Sequence, residues 1–361
     1  MAAAAATIAS LTLGLLTAGP AAATTDAPCG GIVPRVAVRP DTKFQSMFDA
    51  YGNDNTRTDD WTGGDGAYSI PLPSGHVVWT FSDTFLGMVN PDGSRPSDAP
   101  LINNDLVIQK GNRLLRTFHG GTLSSPKSLV TPTDASWYWM GDGTVEGAQL
   151  RVFVPKFQRT GPGMWDWQWV GTDIASFPLT GGAASTSPAP AEGVTYGAAI
   201  LEHDGYTYVY GVEDLSTRNY LHIARVPAGG LLGPWEFFTG SGWASDPASS
   251  ARLLDGVDNG FGVLRIGSAY VLMTLDASDP FSGKIVAYWA CSPAGPWGNR
   301  TLVYTTPENN STTFTYSVNL HPEFTSRAGL LLSYDVNSWT WSGAHQNVQN
   351  YRPRFLRLKS R

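Results

Sequence analysis

The sequence predicts an all-β protein, a five-bladed β-propeller. Three observations predict it: a composition of strand and turn formers, a hairpin device that recurs at even spacing, and a duplicated Gly-Pro-Trp turn. Of 361 residues only 15% are charged, against 40 Gly, 25 Pro, 13 Trp, 14 Tyr and 15 Phe. That balance favours short strands and turns over helices. With 42% hydrophobic residues the chain can bury a sizeable core. Its net charge of −6, with no Lys/Arg run, lacks the footprint needed to grip phosphate backbones or anionic membranes. Neither nucleic acid nor a membrane surface is expected as a partner.

The chain opens on MAAAAATIASLTLGLLTAGPAAA, a short apolar run ending in Ala21-Ala22-Ala23. It suits a secretory signal over residues 1–23 and is too short to span a bilayer comfortably. Residues 24–57 read as an N-terminal lead-in, and 58–361 as the propeller and catalytic domain. A soluble, secreted monomer is expected. Cys29 and Cys291 are the two cysteines, and an exported chain commonly oxidises such a pair.

The first hairpin copy is WTGGDGAYSIPLPSGHVVWTFSDTF, Trp61 to Phe85, turning at Pro73-Ser74-Gly75. A less regular copy runs from Trp139 to Phe157. The third, Tyr196 to Asp214, turns at Asp204-Gly205, a strong hairpin signal. The fourth, Asp258 to Asp276, turns near Gly267, and the fifth, Asn319 to Asn337, near Gly329. The copies begin about 60 residues apart, within the range for one propeller blade. Outer strands such as Asn219 to Pro227 and Lys284 to Pro293 lead to the two Gly-Pro-Trp turns, at Gly233 and Gly295. A β-sandwich would accommodate the strands but does not explain the repeat.

In an antiparallel hairpin the start of one strand and the end of the next lie side by side. In a propeller these ends gather on one face. The residues expected there are Asp65 and Asp83, Asp142 and Glu146, Glu213 and Asp214, Asp258 and Asp276, with Asn319, His321, Glu323, Asp335 and Asn337. Trp61, Tyr68, Trp139, Tyr196 and Tyr316 would supply flat amphipathic rings for the apolar faces of sugars, and Asn103 and Asn104 polar contacts. Any one Asp at a strand end can equally cap a turn through its own backbone; the recurrence argues for the set. No zinc-ligand spacing, Gly-x-Ser-x-Gly elbow or phosphate loop appears, and no EF-hand-like loop marks a calcium site. No cofactor is expected, and carboxylate chemistry remains.

The pattern GGDGxYSxPLPxGxxxWxFSDTF, followed by GPWEFFTGSGW, SPAGPWG, HPE and YRPRF, resembles the secreted bacterial propeller proteins of domain-of-unknown-function families 4185 and 5005. Part of that group is recognised as endo-acting D-arabinanases. More distantly, the chain is similar to the five-bladed arabinanase and xylosidase glycosidases. The resemblance implies a glycoside hydrolase acting on a cell-wall or environmental polysaccharide, with an arabinan as substrate. Ser82 stands where the arabinanase branch more often has Gly. The catalytic pair would be Asp65 and Asp83. Glu146, Glu213 and Glu323 are held in reserve, because related propellers draw acid and base from different blades. A non-catalytic carbohydrate-binding propeller is the competing reading, and it would need no proton donor.

Overall fold

The computed structural model describes residues 36–360. The structure is all-β, with two short α-helices, Thr42–Gly52 and Trp341–Gln346. Among the described residues, five sheets of four to six strands dominate. The first holds Tyr68–Pro71, Val77–Phe81, Asp105–Lys110 and Arg113–Phe118. In the second, Trp137–Tyr138 and Gly143–Glu146 both pair with Gln149–Arg159, which leads on to Trp167–Pro178 and Ser185–Pro188. The third is built on Thr195–His203, Tyr206–Asp214 and Asn219–Pro227, and the fourth on Val257–Ile266, Ala269–Asp276, Lys284–Ala290 and Gly298–Thr305. Thr313–Ser326, Gly329–Ser338 and Arg354–Ser360 make up most of the fifth.

The predicted hairpin turns are present. Gly75, Gly205, Gly267 and Gly329 all adopt positive φ, a conformation that a residue without Cβ enters at little cost. One strand of each sheet makes a cycle of contacts, from Tyr68–Pro71 to Gly143–Glu146, Thr195–His203, Val257–Ile266 and Thr313–Ser326, and from there back to Tyr68–Pro71. Each sheet is apolar on both faces, so the core forms as layers between sheets. Tyr210, Leu272 and Val286 fill the space between the third and fourth, and Leu275, Val318 and Leu332 that between the fourth and fifth.

Part of the segment read as a lead-in is structural. Val36–Pro40 pairs antiparallel with Arg354–Ser360 and completes the fifth sheet as its outer strand. The helix that follows is capped by Asp41, whose carboxylate accepts from the Phe44 amide at 2.9 Å. Its Phe44 and Phe48 pack on Trp61, Trp79 and Phe355, joining the first sheet to the fifth. No helix among the described residues is long and apolar enough to cross a membrane. The apolar run at residues 1–23 and Cys29 lie outside the described residues.

Each junction of the cycle carries a polar latch. Ser82 Oγ accepts from the Met140 amide at 3.0 Å, and Asp142 Oδ2 from the Ile200 amide at 2.7 Å. Asn259 donates to Asp214 Oδ2 at 3.0 Å. Asp258 Oδ2 accepts from the Ser317 amide at 2.9 Å, and Asp335 Oδ2 from the Gly66 amide at 2.8 Å. A buried amide left unpaired is costly, so these bonds help fix how neighbouring sheets abut. The recurrent aspartates are thus in large part assembly devices, Asp142 and Asp258 each accepting from an amide of the next sheet.

Candidate active site

Asp65 and Asp83 do come together. The small sheet of Trp61–Gly64, Thr84–Leu86 and Leu101–Ile102 pairs Gly64 with Thr84. The Asp65 amide then donates to the Asp83 carbonyl at 3.3 Å, and the Ser82 amide to the Asp65 carbonyl at 2.8 Å. Next to Asp65, Gly66 and Ala67 have φ of 93° and 38°. This left-handed kink, unusual for a residue with a Cβ, ends one strand and starts Tyr68–Pro71. Asp65 sits at the corner between the two sheets.

Each carboxyl is held by one oxygen and keeps the other unengaged. Asp65 Oδ2 accepts from the hydroxyls of Tyr316 at 2.5 Å and Tyr351 at 2.9 Å, while Oδ1 has no partner. Asp83 Oδ1 accepts from Asn103 Nδ2 and Trp139 Nε1, both at 2.8 Å. Burial and the Asp83 charge push the Asp65 carboxyl up to about 7, against the pull of its two tyrosine donors. Burial also raises Asp83, opposed by Asn103, Trp139 and the charge of Arg159.

The tyrosines arrive from far along the chain. Tyr316 is turned by a bulge at Ser317, whose φ is 50°. Tyr351 is anchored through its buried neighbour Arg352, which donates to the Thr62 carbonyl at 2.7 Å and to Asn53 Oδ1 at 2.9 Å and pairs with Asp49 at 3.2 Å. Sequence reasoning gave Tyr351 no role. The only signal was its place in Tyr351-Arg352-Pro353-Arg354-Phe355, and nothing local ties that run to Asp65.

Aromatic residues flank the pair on two sides. Beside Asp83, the Trp139 ring lies 4.2 Å from that of Phe157, 5.0 Å from Trp167 and 5.9 Å from Trp137. Beside Asp65, the Tyr316 ring lies 5.5 Å from Phe314, which meets Trp339 at 4.4 Å and Phe281 at 5.5 Å.

Other predicted residues are buried. Trp61 is fully buried against Phe48 and Phe81, and Tyr196 is buried with Trp235 and Phe237, its hydroxyl 3.1 Å from Ser250 Oγ. Neither ring can stack on a sugar. Tyr68 is buried on the inner strand of the first sheet; burial and the charges of Asp142, Asp335, Asp258 and Asp65 raise its hydroxyl well above the usual range. Asn104 is fully buried and donates to the carbonyls of Val130 and Tyr138, both at 2.9 Å. Asn319 donates to the Gly66 carbonyl from a buried position. Trp61, Tyr196 and Asn104 serve packing and assembly, because inward strand positions in stacked sheets are sealed by the neighbouring sheet, whereas Tyr68 and Asn319 border the Asp65 corner, one through the charge of Asp65 and the other through Gly66.

The glutamates are dispersed. Glu146 ends Gly143–Glu146 at the hairpin turn, opposite the end where Asp142 stands, and accepts from the Leu231 amide at 2.8 Å. Glu213 is clamped by Arg252 at 2.6 and 2.8 Å, which holds its carboxyl below the usual range. Asp276 is buried with Ser278 and Arg300. Glu323 lies in the bulge between His321 and Ser326, toward the hairpin turn and away from the Tyr316–Asp335 end. It accepts from Ser69 Oγ, and burial pushes it up to about 7. His321, fully buried, bonds Ser69 at 2.5 Å and Ser333 at 2.9 Å, and burial pushes its imidazole down to about 3. No group of three or more His, Cys, Asp or Glu able to hold a metal ion occurs among the described residues.

A solved structure from Bacteroides ovatus ATCC 8483, provisionally described as a hydrolase, matches with a TM-score of 0.75 at 21% identity, covering 90% of each chain. The two share a fold. An endo-arabinase from Bacteroides thetaiotaomicron VPI-5482 matches with a TM-score of 0.49 at 9% identity, over 85% of this chain and 97% of the other. A GH43_1 enzyme from Xanthomonas citri, complexed with xylotriose, gives 0.48 at 13%, over 89% and 93%. Among curated proteins, none matches the chain significantly in sequence. A family model matches residues 45–360, and on that span the chain belongs to the family described as Domain of unknown function (DUF5005).

Proposed function

We propose that this protein is a secreted glycoside hydrolase that cleaves a cell-wall or environmental polysaccharide, an arabinan in the first instance, from a five-bladed propeller scaffold. The cyclic contacts of five sheets support the scaffold. The observation that carries the function is the Asp65–Asp83 pair, two adjacent carboxyls each pinned by one oxygen with the other unengaged. Glycosidic cleavage needs one carboxyl that holds a proton near neutrality and one that is ionised. Asp65, pushed up to about 7, fits the proton donor. Asp83, with two donors on one oxygen and Arg159 nearby, fits the carboxylate that attacks or activates water. Trp139 and the Phe314 cluster offer rings beside both. Arabinan as substrate rests on the sequence resemblance.

The reading is tested by incubating the purified protein with linear arabinan, arabinogalactan and xylan, and measuring reducing ends. Release from at least one of them is expected, lost in Asp83→Asn while binding persists. Binding of a glycan with no release by the wild type would favour the carbohydrate-binding alternative.

A further inference from the structure

The long hairpin between Gln149–Arg159 and Trp167–Pro178 of the second sheet has no counterpart in the sequence reading. Its tip, residues 160–166, lies at the site end of the strands, because the opposite end of Gln149–Arg159 meets the Glu146 turn. Trp165 at that tip is 54% exposed, yet its ring lies 6.0 Å from Phe314 of the fifth sheet. The second and fifth sheets each neighbour the first, so a contact between them has to pass over the end of the first sheet, where Asp65 and Asp83 stand.

The contacts close a circuit. Asp83 bonds Trp139, whose ring meets Trp167 at 5.0 Å. The hairpin carries the chain to Trp165, Trp165 meets Phe314, Phe314 meets Tyr316, and Tyr316 bonds Asp65. The Asp65 amide returns to the Asp83 carbonyl. The tip is also braced from within. Gly163 donates to Asp166 Oδ2 at 2.7 Å, Thr160 donates to the Asp166 carbonyl at 2.9 Å, and Arg159 donates to the Gly163 carbonyl at 3.0 Å.

We infer that this hairpin is an arch over the carboxyl pair, closed by Trp165 on Phe314, and that it restricts the site to linear glycans entering by a free chain end. A chain lying over the two carboxyls passes beneath the arch. It can get there by threading an end, and an interior stretch of a branched or end-blocked polymer cannot be laid in from above. The inference rests on the proposed glycosidase reading for the ligand class, and it departs from the internal cleavage that the arabinanase resemblance implies. Trp165 is the specificity-determining residue, since its removal opens the circuit and its exposure leaves the core untouched.

The test uses Asp83→Asn protein, so that binding is read without turnover. Tryptophan fluorescence is titrated with a linear arabino-oligosaccharide, either free-ended or carrying a streptavidin-bound biotin at both ends. At least tenfold weaker binding of the capped chain is expected. Adding Trp165→Ala, or replacing residues 160–166 by an Asn-Gly turn, should bring the two affinities within about twofold. Equal binding of both chains with the arch intact, or binding of neither, overturns the inference. Threading-dependent binding without hydrolysis by the wild type would sink the glycosidase reading and leave the arch standing.

Discussion

The Asp65 amide donates to the Asp83 carbonyl across 3.3 Å, so the two carboxylates that flank the first hairpin rise from adjoining backbone positions. Their charges are not equivalent. Asp65 is held by two phenols, and Asp83 by an amide and an indole. The negative charge of Asp83 helps keep the proton on Asp65, the division that the proposed mechanism asks of an acid and a base.

Asp65→Asn and Asp83→Asn should each leave the fold intact and lower glycan hydrolysis at least about 100-fold, the scale of a lost acid–base catalyst. Circular dichroism and initial rates decide the matter. Near-normal turnover in both variants would move the chemistry away from this corner.

The pH profile should report Asp65. With its carboxyl at about 7, the proton donor is lost as pH rises through that value, so kcat should fall on the alkaline side of neutrality. Tyr351→Phe removes a hydrogen bond that favours the ionised form, and the alkaline limb should shift upward. An unchanged limb in that variant would separate it from Asp65.

Thermal stability should fall as pH rises from about 4 to 7. Asp65, Asp142 and Glu323 all sit at about 7 in the folded protein, raised from ordinary values of 3.8, 3.8 and 4.5. Over that window the unfolded chain has released these protons while the folded one retains them, so each added pH unit favours unfolding. Above 7 both states are ionised and their contribution to the slope vanishes. Scanning fluorimetry from pH 4 to 8 checks the trend, and Asp142→Asn should flatten part of it.

Asp142→Ala should destabilise the protein by about 1–3 kcal/mol. It strips acceptors from the Gly143 and Ile200 amides, at 2.8 and 2.7 Å. Asp142→Asn, which keeps one acceptor oxygen, should cost less. Chemical denaturation of both variants measures the difference, and a neutral alanine variant would remove Asp142 from the set of latches.

A Cys29–Cys291 disulfide is expected from the export signal and the cysteine count, contributing about 2–4 kcal/mol. Ellman titration of denatured, unreduced protein should find no free thiol. Two thiols would refute the pairing.

The sequence by itself determined the all-β class, the hairpins with their glycine turns, and the meeting of Asp65 with Asp83. These follow from local rules, since strand alternation and a tight turn fix which residues face one another across a hairpin. Closure of the sheets decided the rest. Asp142, Asp258 and Asp335 find their amides 58, 59 and 269 residues away, and Tyr351 reaches Asp65 from a distance of 286. An aspartate at a strand end looks the same in the sequence whether it meets solvent, substrate or the next sheet. Trp61 and Tyr196 look like sugar platforms until the neighbouring layer covers them, and Trp165 looks like a loop residue until its partner on the fifth sheet is known. Which role each takes is set by what packs against it, and that is a property of the assembled sheets.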